Sequence, residues 1–382
     1  MELQLDSTIQ MAELLIIKRD FDLLKKIATL FKPELQMQLI PYTALFCYEV
    51  IDYLNKKGQQ IEITSTSRYS IKQIRQKAKF FDLSVNKLLQ SVENIDELQN
   101  NYFISLMRYP QLGSWNVHDN LGICYDKQGN IVSNTHYAFY VFQDEKAISK
   151  PHDTMSGHNI NGEEVRAFAY DMGRIIGSIS SALSSISDFV VSDIAPQNII
   201  LFNHDFNTNR CINVGDEKYK IVRLFLLHVL SSIGFILYAL RPAIIHETGL
   251  LVRLEYITYH YALLRLDGLM KYYIENPTAI NDAKLTNMFN SIDFTNADNL
   301  RKTDFRNCMM HFGLTDKNGN SLIDEENVNL ALPLCGLVES QFRVLLIGLI
   351  FVTAISPQAP PLFPLYPLGM RFPSRLRGVL SG

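Results

Sequence analysis

The chain has 382 residues, 36 Lys+Arg against 39 Asp+Glu, a net charge of −3 and a pI near 6.3. That length accommodates two or three domains with a sizeable core, and 47% apolar with 20% charged residues is ordinary for a globular protein. The charge balance excludes a globally basic nucleic-acid binder, so an RNA- or DNA-acting function would need a local basic patch. Five cysteines (Cys47, Cys124, Cys211, Cys308 and Cys335) are scattered, odd in number and without a CxxC pair. They read as reduced thiols of a cytoplasmic protein, and they argue against structural zinc. The acidic start Met1–Asp6 lacks the basic n-region of a signal peptide.

In chain order, residues 7–58 predict two or three amphipathic helices broken near Pro33 and Pro41. A short β-like run, Ile61–Ser65, follows. Tyr69–Leu89 resembles a helix-turn-helix, with Ala78 at the helix crossing, Asp82–Ser84 as turn and Leu88 buried in the second helix. Lys72, Arg75, Lys77, Lys79 and Lys87 give it a positive face, of which Lys79 and Lys87 are the candidate nucleic-acid contacts. The same residues also describe a plain αα-hairpin with a solvated Lys/Arg face.

Gly122–Ser133 predicts a β-hairpin turning at Asp126–Asn130, and His136–Phe142 a further strand. The polar segment 143–163 is the best domain boundary. The pairs His118-Asp119 and His152-Asp153 sit in different loops and, with His158, show no i, i+4 spacing between histidines, which predicts loop polarity and no metal site. Residues 163–186 predict a helix with a small-residue surface that includes Gly173 and Gly177. Residues 219–240 form the most apolar helix, with Leu224–Leu240 nearly long enough to span a bilayer. His228, Ser231 and Ser232 within it, and Arg223 and Arg241 around it, favour a central buried helix over membrane association. A long helix over 250–276 follows, and its tyrosines read as packing residues. The tail combines an apolar run, Phe342–Ile355, with a Pro-rich segment. It fits an interfacial anchor, a partner strand or an unrelated terminus equally.

The chemistry concentrates in Asn299–Gly313. Phe305, Met309 and Phe312 share one helical face at i, i+4 and i+7, with Asp304, Asn307 and His311 on a neighbouring stripe and Arg306 beside them. Imidazole is the side chain suited to moving a proton near neutral pH, and guanidinium matches phosphate oxygens. Arg306 and His311 are about 140° apart around a regular helix and about 7.5 Å along it. They diverge, so a two-fold pair of such helices would be needed to gather two Arg and two His in one cleft.

Arg306-Asn307-Cys308-Met309-Met310-His311 resembles the R-[polar]-x(3–5)-H signature of the HEPN superfamily, and the helices from about Gly162 to Leu314 loosely resemble its bundle. The resemblance implies an all-α dimeric fold and metal-independent endoribonuclease activity in toxin or anti-phage defence systems. It implies catalytic roles for Arg306 and His311, with Asn307 supporting; Asp304 is a weaker candidate for holding His311. Arg223…His228, Arg241…His246 and Arg253…His260 have similar spacing, but only Arg306 is followed by a polar residue.

The expectation is therefore a mainly α protein. Its parts are a helical region over 1–110, a small β insertion and linker over 111–160, a HEPN-like bundle over 161–325 and an apolar, Pro-rich tail over 326–382. The expected partners are an RNA substrate and a second copy, with a possible inhibitory partner or activating signal, and no cofactor. The alternatives are a non-enzymatic DNA-binding or antitoxin-like regulator that dimerises through the bundle, and a membrane-associated scaffold.

Overall fold

The computed structural model describes residues 2–79, 83–107, 120–142, 162–186, 194–195, 199–208, 217–245, 249–276, 307 and 309–312. The fold is mainly helical with one small antiparallel sheet. Helix α1, Glu2–Leu30, turns Ile17, Phe21, Leu24 and Ile27 inward at helical spacing. Helix α2, Pro33–Lys56, starts with proline at its first turn, where a missing N–H leaves nothing unsatisfied. It then runs straight through the buried Pro41, so the break predicted there does not occur.

The β-like run at Ile61–Ser65 is not a strand. The end of the run and the two residues after it are held by a side chain: Asp171 accepts bonds from Ser65 Oγ, from Thr66 N and Oγ1, and from Ser67 N. Helix α3, Ile71–Ile74, opens with a reciprocal capping box between Ser70 and Gln73 and passes into a 3₁₀ turn, Arg75–Lys79. Helix α4 is Val85–Met107. Ala78 and Leu88 are each 1% exposed, the buried positions expected of a helix-turn-helix, although its first helix has only one α turn.

Strands β1 (Leu121–Asp126) and β2 (Ile131–Asn134) form the predicted hairpin. Gly129, at φ +82°, makes the turn, and Asp126 Oδ1 accepts from the Gln128 and Asn130 amides. The strand predicted at His136–Phe142 is instead helix α5, Thr135–Val141. Asn134 caps it by accepting from Tyr137 N, and Tyr137, Tyr140 and Val141 turn to the core at i, i+3 and i+4. The density of aromatic residues there reflects burial, not a pleat. After helix α6, Gly162–Ala182, the third strand is β3, Leu201–Phe206, antiparallel to β1 and giving the order β2-β1-β3. Only its first two residues, Leu201 and Phe202, belong to the short apolar run Ile199–Phe202.

Helix α7, Glu217–Gly234, continues as a π-helical stretch over Phe235–Leu240 and ends in a turn at Arg241–Ala243 containing Pro242. Lys220–Ala243 is long and apolar enough to cross a membrane, and 94% of its most apolar window is enclosed by the protein. A helix apolar on every side needs that enclosure. Helix α8, Gly249–Glu275, packs against it with Tyr256, Tyr259 and Tyr261 buried. The core is continuous from α1 and α2 through the sheet to α7 and α8. On α6, Gly173 and Gly177 are exposed with open space around them, so these two positions mediate no close approach among the described residues.

Candidate functional site

The site is built around a short piece of the motif segment that sits on the N-terminal helices. Asn307, Met309 and Met310 are helical, and His311 N donates to the Asn307 carbonyl at 2.7 Å. Phe312 packs edge-on against Phe46 of α2, with ring centroids 4.9 Å apart. Arg253 of α8 fixes the same piece from the other side. Its Nη1 donates to the Met309 carbonyl at 2.6 Å, and its guanidinium lies 4.3 Å above the Phe312 ring. Arg253 Nε faces Asp20 of α1 at 3.4 Å. Burial raises the pKa of Asp20 against the opposing pull of Arg253. Tyr261 OH donates to the Met310 sulfur.

That anchoring delivers His311 to a buried carboxylate. His311 Nδ1 is 2.6 Å from Glu49 Oε2, while Glu49 Oε1 takes Arg75 Nη1 at 2.5 Å. The side chain of Glu49 is 3% exposed, that of Arg75 14% and that of His311 55%. Arg75 also stacks on Tyr48, its guanidinium carbon 3.8 Å from the ring centroid. One carboxylate thus joins an arginine and a histidine, and the imidazole stands at the surface with its Nδ1 edge occupied.

Of the residues expected at the site, His311 and Asn307 are placed here, and Arg306 and Asp304 lie outside the described residues. The histidine-aspartate loops at 118–119, 152–153 and 158, and the tail from 342, lie outside them too. Lys87 is exposed on α4, and Lys79 is half-buried at the end of the 3₁₀ turn. Arg75 is engaged by Glu49, and the Lys77 ammonium lies 4.7 Å from the Tyr140 ring centre. At least two of the five cations of the expected positive face therefore have partners within the fold. Among the competing Arg…His spacings, Arg223, His228 and His260 are buried, and Arg253 is the anchor just described.

Glu49, Arg75 and Tyr48 are members of the site that the sequence reading missed. A signal existed in Leu45-Phe46-Cys47-Tyr48-Glu49-Val50-Ile51, where a carboxylate interrupts an apolar run. Its partner, 262 residues away, gives no local sign. The described thiols are not nucleophiles: burial pushes Cys47 and Cys124 up to about 12. Among the described residues no group of three or more His, Cys, Asp or Glu is arranged to hold a metal ion. No family model, curated protein or solved structure matches this chain.

Proposed function

We propose that this protein is a metal-independent endoribonuclease of HEPN type, with His311 as its proton-transfer group. The observation that supports this is an exposed imidazole bonded at 2.6 Å to a carboxylate only 3% exposed. Such an arrangement orients a base and leaves one ring nitrogen for substrate. His311 takes the proton of a ribose 2′-hydroxyl as that oxygen attacks the adjacent phosphorus. The bond to the 5′-oxygen breaks, that oxygen gains a proton, and the product is a cyclic phosphate. Arg306 stabilises the charge on the phosphorane-like transition state, Asn307 orients, and Asp304 supports.

The motif helix of a second copy completes the cleft, so the working form is a symmetric homodimer. The helical region from Gly162 onward is the HEPN-like bundle in this reading, and the enclosure of the apolar helix α7 fits a cytoplasmic protein. The resemblance supplies the biological setting, a toxin or anti-phage system. His311→Ala and Arg306→Ala should each remove nearly all RNA cleavage, a loss of about a hundred- to ten-thousand-fold, while the fold stays intact and cleavage by the parent persists in EDTA. A parent that cleaves no RNA, or a His311 variant as active as the parent, overturns the nuclease. The bundle would then be a binding module.

A further inference from the structure

We propose that Glu49 is the positioning residue of the His311 site: it accepts Nδ1–H, fixes that tautomer and leaves Nε2 as the proton-accepting atom. This rests on the reading of His311 as the proton-transfer group, and it names a residue, contributed by α2, that the motif does not contain.

The argument is geometric. A carboxylate offers only acceptors, so the proton at 2.6 Å between Glu49 Oε2 and His311 Nδ1 belongs to the ring nitrogen. The other oxygen is committed to Arg75, an ion pair at 2.5 Å. Glu49 therefore cannot turn away from the histidine without abandoning a guanidinium that is itself only 14% exposed. Arg75 in turn lies over the ring of Tyr48, which precedes Glu49 on the same helix. Arg75, itself backed by Tyr48, thus holds the carboxylate in one orientation towards His311. The imidazole's Nδ1 edge is occupied while 55% of the side chain is exposed, so the edge offered outward is Nε2.

The pairing makes a sharp forecast for Glu49→Gln. Arg75 has donors only, so it claims the amide oxygen and leaves the amide NH₂ facing His311. An NH₂ group cannot accept Nδ1–H. The ring must then carry its proton on Nε2, and the base is removed without altering the imidazole itself.

The test reads the ring directly, in the full-length protein without RNA. Long-range ¹H–¹⁵N NMR of ¹⁵N-histidine-labelled protein, with His311→Ala to assign the signal, should show the Nδ1–H form at a pH where the ring is neutral. Glu49→Gln should show the Nε2–H form. With RNA, Glu49→Gln should lower kcat at least about a hundredfold with KM little changed, since the lost interaction acts on proton transfer and not on binding. An Nε2–H ring in the parent overturns the proposal whether or not Glu49→Gln folds. A Glu49→Gln protein that retains Nδ1–H, or one with full kcat, overturns it as well. A parent with the Nδ1–H ring but no RNA cleavage sinks the nuclease reading, and with it any catalytic role for Glu49.

Discussion

His136 Nδ1 and His228 Nε2 lie 2.5 Å apart in the centre of the protein, at 0% and 1% exposure. The rings of Tyr137 and Tyr140 close over His228 at centroid distances of 5.7 and 5.5 Å. Two imidazoles this close and this dry must both be neutral. Burial lowers the pKa of His228 to about 3, and burial with the neighbouring His228 and Lys220 lowers that of His136 well below its usual range.

The pair predicts acid lability. Unfolding returns both rings to a pKa near 6.5, so below that value the unfolded chain binds protons that the folded protein excludes. Stability is therefore fully present above pH 6.5 and is lost as pH falls, by about 1.4 kcal/mol per pH unit for each excluded proton. For His228 the loss continues until pH about 3. Urea denaturation at fixed pH should show a flat midpoint from pH 8 to 7 and a steep decline between pH 6.5 and 5. Replacing both histidines by Leu should flatten that decline. An unchanged slope in the double variant would place its origin elsewhere.

A second prediction concerns the seam between α7 and the sheet. A Cβ added at Gly234 would lie 1.9 Å from the Ile131 carbonyl oxygen and 3.0 Å from its carbon. Both are backbone atoms of β2, so no side chain can move aside. Gly234→Ala should destabilise the protein by more than about 3 kcal/mol, above the usual range for overpacking. A denaturation midpoint within error of the parent would show that the strand can retreat.

A third prediction concerns Asp171. Burial pushes its carboxyl up, but the bonds from Ser67, Thr66 and Ser65 outweigh that and lower the pKa. Asp171→Ala should cost roughly 1–3 kcal/mol and release Ser65–Ser67 to rapid hydrogen exchange. A carboxyl with a lowered pKa contributes stability that is present above pH 3.8 and lost as pH falls below it. That acid loss should be missing in the variant. Unchanged exchange over Ser65–Ser67 would mean that the carboxylate does not hold the segment.

The amphipathic and apolar helices were legible in the sequence because a 3.6-residue period is a local property. The long α8 came through on that basis, α7 through its long apolar run, and the Gly129 hairpin through its turn residues. Helix α5 did not: its aromatic residues satisfy a strand's composition, and what decides for helix is the Asn134 cap together with burial on every side. Pro41 misled for a related reason, since it punctuates locally and is overridden by the core around α2. At the site, His311 was visible as a chemical type. Its partner Glu49 was not, because no period links residues 262 positions apart.

The last prediction separates holding the site from acting in it. Arg253 grips the Met309 carbonyl, covers the Phe312 ring and faces Asp20. Arg253→Met should therefore loosen residues 309–312 and strand Asp20, 2% exposed at its side chain, without its cationic partner. Breaking one side of such a pair typically costs about 3–5 kcal/mol, much of it from the carboxylate left behind. Asp20→Asn removes that stranded charge, so the Arg253→Met/Asp20→Asn double variant should regain a large part of the lost stability. The double variant would still lack the bond to Met309. Its His311 ring signal should be shifted or broadened towards that of a free histidine even though its denaturation midpoint has recovered. Recovery of both together would make Arg253 a stabilising residue only. Recovery of stability with the ring still loose would show that Arg253 carries His311 to Glu49.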